Sequence, residues 1–112
     1  MKLEQVLSII QAEALSYSVD LSLSVSAACG ADLMSDVLAF TRSGTLLLTG
    51  LTNPQVVRTA EMAGIPTIVF VRGKIPPEET LALAREQDIP LFATKLTMYE
   101  ACGRLYKAGL RP

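Results

Sequence analysis

The feature that most constrains this chain lies in its second half. Three times over, a short continuous apolar run leads through a polar turn into a stretch with helical spacing. The runs are Thr45 to Thr49, Pro66 to Val71 and Ile89 to Ala93. Unalternating runs this short suit strands covered on both faces, and helices between them are the crossovers that parallel strands require. The expected fold is therefore α/β, a layered α/β/α domain with a mainly parallel sheet of about four strands. Ile68-Val69-Phe70-Val71 is an unbroken apolar string and is expected at the sheet centre.

The helices are placed from their ends. Pro54 stands at a first helical position behind an Asn53 or Thr52 cap, and Gly64 closes that helix. Glu78 and Glu79 carry the sign that complements a helix N-terminus. Thr97 and Glu100 have capping-box spacing, ahead of an apolar stripe of Met98, Ala101, Cys102, Leu105 and Tyr106. In the first half, Leu3, Val6, Leu7 and Ile10 predict a helix from about residue 3 to 14. Asp20 to Ser26 alternates and predicts a half-buried strand with its serines outward. Leu33, Met34, Val37 and Leu38 return to helical spacing, with Asp32 or Ser35 available as cap. No linker or repeat interrupts residues 1–112, which fill a single domain.

Chemistry is narrowed by what the chain lacks. It has no histidine, which removes Ser-His-Asp and Cys-His catalysis and every His-ligated metal site. A net charge of −1 argues against an electrostatic nucleic-acid binder. The apolar runs are far below the ~18 residues of a membrane span, and Glu4 interrupts any signal-like start, so a cytoplasmic protein without a membrane segment is expected. Cys29 and Cys102 form no CxxC pair and read as buried structural thiols. Neither standard phosphate loop, GxxxxGK[ST] or GxGxxG, is present, and no cofactor is expected.

In an open parallel sheet, ligands settle beyond the carboxyl ends of the strands. Polar residues follow each of the three runs there: Thr49 and Asn53, then Arg72 and Lys74, then Thr94 and Lys95. Hydroxyls, turn backbone and three cations on one rim suit a small anion or a nucleotide phosphate. The same residues also have ordinary duties as caps, turns and solvated charges. Asp32 and Asp36, one helical turn apart, could hold a metal or act as acid and base, but helix capping is the favoured reading. A chain that is 50% hydrophobic and 19% charged has more apolar surface than a small domain hides alone, so a subunit interface is expected, including Met34, Val37 and Leu38.

The order of elements, with the strings Gly30-Ala-Asp-Leu-Met-Ser-Asp-Val-Leu-Ala39, Thr49 to Asn53, Ile89-Pro-Leu-Phe-Ala-Thr94 and Gly103-Arg-Leu-Tyr106, resembles the DRTGG domain family. That family occurs as a regulatory module in phosphotransacetylases and beside CBS domains in regulated pyrophosphatases, with relatives at the N-terminus of HPr kinases. The string Asp-Arg-Thr-Gly-Gly itself does not occur here. The resemblance implies a stand-alone α/β module without catalytic activity, with Asp32, Ser35 and Asp36 in the family's shared loop and helix start. It also implies a homodimeric regulatory or scaffolding role that modulates a partner protein, such as a partner enzyme. The alternative is a sensor that binds a nucleotide or other anion at the strand C-terminal rim.

Overall fold

The computed structural model describes residues 1–16 and 19–112. Its elements run α1 (Leu3–Ile9), β1 (Glu13–Ala14), β2 (Ala27–Gly30), α2 (Met34–Phe40), β3 (Thr45–Thr49), α3 (Pro54–Ala63), β4 (Ile68–Phe70), α4 (Glu78–Glu86), β5 (Leu91–Ala93) and α5 (Met98–Lys107). The sheet order is β1-β5-β4-β3-β2, parallel from β2 to β5, with β1 antiparallel at the far edge. The α/β class and the layered arrangement agree with expectation, and β4 is the central strand.

Alternation along the buried strands divides the core into two layers. Leu46, Leu48, Val69, Val71 and Phe92 point to one face and pack with Leu3, Val6, Ala101 and Leu105 of α1 and α5. Leu47, Ile68, Phe70 and Leu91 point to the other and pack with Val37, Val56, Ala60 and Ala84 of α2, α3 and α4. Sheet positions that serve both layers must be apolar throughout, which is why these strands read as continuous runs.

The first half departs from the sequence reading in three places. The first helix ends near Ile9, not residue 14, because Gln11 takes a left-handed conformation (φ 53°) and Ala12 N donates back to Leu7 O. The freed Glu13 and Ala14 then pair with Ala93 and Phe92, making a fifth strand where about four were expected. Asp20 to Ser26 is not a strand of the sheet. Its backbone instead serves the start of α1: Leu3 N donates to Leu23 O (2.7 Å), Glu4 N to Leu21 O (3.1 Å), and Val25 N to Met1 O (2.9 Å). Amides that a helix leaves unpaired at its N-terminus thus find carbonyls in this segment. The strand lies one step later, in the small residues of β2.

Helix α2 follows Leu33, which makes no side-chain cap, so neither Asp32 nor Ser35 performs the expected capping. Asn53 likewise precedes Pro54 of α3 without a side-chain cap hydrogen bond. Thr97 does cap α5, its hydroxyl accepting from Glu100 N at 3.2 Å. Gly64 closes α3 in the left-handed conformation, φ 70°.

Candidate functional site

The carboxyl ends of β2, β3, β4 and β5 open on one rim. At its β2 side, Asp32 acts as a loop tie. Its carboxylate accepts from the Thr49 hydroxyl at 3.0 Å and from Gly50 N at 2.7 Å, while the same hydroxyl accepts from Leu51 N at 3.1 Å. The tie fastens the β2–α2 connection to the β3–α3 turn. Ser35 and Asp36 sit beyond it on the exposed side of α2.

The β4–α4 turn is fastened to the β5–α5 turn by backbone alone. Arg72, held left-handed at φ 57°, donates its N–H to Leu96 O at 2.8 Å, and Gly73 N donates to Thr94 O at 2.8 Å. From this anchor the Arg72 side chain crosses to β3 and lies over Gly50, where a Cβ would stand 2.8 Å from its Nη2. A side chain at 50 would push the guanidinium aside, so the bare glycine backbone is what admits this approach. Arg72, Lys74 and Lys95 are all exposed, and among the described residues none of them is in an ion pair.

The six rim residues named from sequence therefore separate. Thr49 and Thr94 are buried, and their hydroxyls are engaged within the chain. The Thr94 hydroxyl donates to Ile10 O at 2.7 Å and accepts from Leu96 N at 3.2 Å. Asn53 is exposed but opens onto a groove of about 460 Å³ between α3 and α4, beside Arg58, Glu79 and Glu86. Arg72, Lys74 and Lys95 remain, grouped on paired turns, with the Arg72 guanidinium resting against the Gly50 backbone. Among the described residues no group of three or more Cys, Asp or Glu is placed to hold a metal ion.

The residues expected at a subunit interface also separate. Met34 and Val37 are buried in the chain's own core, where they pack in the layer of α3 and α4. Leu38 is the one of the three that is exposed, joined on the surface by Leu33 and Phe40. Helical spacing grouped Leu33, Met34, Val37 and Leu38 but could not say that the chain itself covers Met34 and Val37 while Leu33 and Leu38 stay exposed.

Two features escaped sequence reasoning. One is a cleft of about 700 Å³ at the opposite end of the sheet, bounded by Leu15, Leu23, Leu81, Arg85, Ile89 and Leu91. Its walls come from separate segments that only the topology brings together. The other is the setting of the thiols. The sequence reads both as buried, but both are only half-buried; burial first, then the charge of Asp36, pushes the Cys29 thiol above its ordinary range, and burial first, then Cys29, does so for Cys102. A thiol pKa raised by folding means that the native state holds its proton longer than the unfolded chain does. Stability is then undiminished below about pH 8.5 and falls as pH rises above it, where unfolded thiols ionise. Iodoacetamide at about pH 8.5 is expected to label native Cys29 and Cys102 several-fold more slowly than in denaturant, checked by mass spectrometry. Equal rates would contradict the burial.

No protein-family model matches the chain, and no curated protein does. Among solved structures, the fold is similar to one of the CBS and DRTGG domains of the regulatory region of Clostridium perfringens pyrophosphatase, complexed with its activator diadenosine tetraphosphate. The TM-score is 0.70 at 15% sequence identity, and the match covers 93% of this chain and 45% of that one. The likeness is one of fold, to a regulatory region rather than a catalytic one, and this chain spans less than half of that region. Among the described residues no helix is long and apolar enough to cross a membrane.

Proposed function

We propose that the chain is a regulatory module without chemistry of its own, which self-associates and modulates a partner protein in the cytoplasm. Two circumstances support the non-catalytic reading. There is no imidazole, and Asp32, which accepts from the amide of the Gly50 turn over which Arg72 lies, is already engaged by that amide and by a hydroxyl. The likeness to a regulatory region supports the role, and the family resemblance of the Gly30 to Ala39 and Gly103 to Tyr106 strings points the same way.

A second reading, that the input is a nucleotide or related anion, rests on one observation. Three exposed cations, in no ion pair among the described residues, stand on two turns locked together at the strand ends, one of them lying over a glycine turn. A phosphate group set there would meet guanidinium and ammonium donors, and Tyr99, 91% exposed at the start of α5, offers a ring on the same rim. The neighbouring regulatory region binds a dinucleotide polyphosphate, which supports the same ligand class.

The test is a thermal-shift and calorimetric titration with diadenosine tetraphosphate, ATP and inorganic phosphate. A probe at about 100 times its Kd should add about 2.7 kcal/mol to stability. Arg72→Glu combined with Lys95→Glu should remove that gain while leaving the fold of the free chain intact, since both side chains are exposed. If none of the probes shifts the midpoint, the sensor reading fails and the regulatory reading must rest on protein contacts alone.

A further inference from the structure

Helix α5 turns Ala101 and Leu105 into the core, with Met98 and Cys102 half-buried beside them. At 100° per residue this points Glu100, Gly103 and Lys107 away from the protein, with Tyr99 and Tyr106 along one flank of that row. Both tyrosines are exposed, at 91% and 53%. Arg111 stacks over the Tyr106 ring, 3.9 Å from its centroid.

Gly103 has no reason within the chain. Glycine is among the least favourable residues for a helix interior. Its φ is not positive, and a Cβ at this position would meet no heavy atom within 4 Å. Gly30 offers the contrast, since a Cβ there would strike α5 itself. The surface at Gly103 is open to solvent beside the two exposed tyrosine rings, leaving room for something outside the chain.

The charges around Gly103 identify what fits. Along the outward row the helix reads acidic at Glu100, whose carboxylate already pairs with Arg104 one turn on at 3.0 Å but stays solvent-exposed, bare at Gly103 and basic at Lys107. The same helix laid across it antiparallel, with the two-fold axis at Gly103, brings each Glu100 opposite Lys107 of the other copy. That dyad also keeps the tyrosine flanks on the same side, so Tyr99 of each copy meets Tyr106 of the other. Antiparallel helix dipoles add to the fit, whereas a parallel pairing would set like charges together. The surface is self-complementary in the sense that an isologous interface requires.

We propose that two copies of this chain associate through α5, crossing antiparallel at Gly103. The proposal rests on the self-association in the reading above and names its surface. A helix of 10 residues is about 15 Å long, so it contributes less than the ~800 Å² per partner of a standard interface, and the dimer is expected to dissociate in the micromolar range.

Sedimentation equilibrium of the full chain across that range tests it. Gly103→Ala is expected to weaken association about tenfold, because a methyl group holds the helices apart, while raising the thermal midpoint of the dilute monomer. Glu100→Lys and Lys107→Glu are each expected to weaken self-association, and an equimolar mixture of the two is expected to restore a dimer. A dimer that is indifferent to Gly103→Ala and to the charge pairings would overturn the α5 surface while leaving self-association standing. A chain that stays monomeric throughout would overturn both.

Discussion

Gly30→Val is expected to cost about 2–3 kcal/mol of stability, read as a lower denaturant midpoint with an unchanged slope. Two effects oppose each other at this position. Valine is the better strand residue, but the β-propensity scale spans only ~1 kcal/mol. Against it stands the approach of α5: a Cβ at residue 30 would lie 2.6 Å from the Cys102 sulfur and 2.9 Å from that of Met98. A clash that begins at Cβ cannot be relieved by the rotamer of the new side chain, so the Cys102 and Met98 side chains must leave their packed positions or α5 must shift off β2, and either disturbs the layer containing Leu46, Leu48 and Leu105. Packing therefore outweighs propensity. Gly30→Ala, which adds the same Cβ, should show most of the loss, and Cys102→Ala in the Gly30→Ala background should recover part of it by removing the nearer sulfur. A valine variant as stable as the parent would mean that the Cys102 and Met98 side chains yield without loss and that the approach of α5 does not restrict residue 30.

This close approach also explains what could be read from the sequence and what could not. The strands of the second half were legible because each is covered on both faces, so Thr45 to Thr49 and Ile68 to Phe70 present no alternation to misread. Helix α5 was legible from Thr97 and Glu100. The first half misled because its pattern has a different cause. Leu21, Leu23 and Val25 alternate along a segment whose backbone completes α1, while the real strand, Ala27-Ala-Cys-Gly30, has the composition of a loop. Its residues are small because a helix lies on them, and that is a tertiary reason with no local signal.

The candidate site divides along the same line. Sequence could place Thr49, Arg72, Thr94 and Lys95 at strand ends, since position there follows from the order of elements. It could not tell which polar atoms the chain would use for itself. The hydroxyls of Thr49 and Thr94 turn inward to hold loops, and Asp32, expected as a cap, binds across to the next strand. What the fold leaves outward are the long cations, whose charged ends are too costly to bury unpaired.

Asp32→Ala is expected to cost about 2 kcal/mol and to loosen the rim, a larger effect than an exposed carboxylate ordinarily has. The carboxylate is the acceptor for a fully buried hydroxyl, that of Thr49, and for Gly50 N. Without it water can reach the amide, but the buried hydroxyl is left with no acceptor for its proton. Thr49→Val removes the donor and also the acceptor of Leu51 N, at a cost of about 1 kcal/mol. The two changes act on one network, so the double variant should lose at least about 0.5 kcal/mol less than the sum of the singles, measured by denaturant melts in a double-mutant cycle. Strict additivity would dissolve the tie. Asp32→Asn separates scaffold from charge. It keeps an oxygen for both donors and so most of the stability, yet it removes the negative charge closest to the Gly50 turn over which Arg72 lies. If the rim receives an anion, that variant should bind ATP more tightly than the parent, while Asp32→Ala should not match it, because its turn is no longer held. Equal or weaker ATP binding by Asp32→Asn would place the anion away from this turn and detach Arg72 from the site.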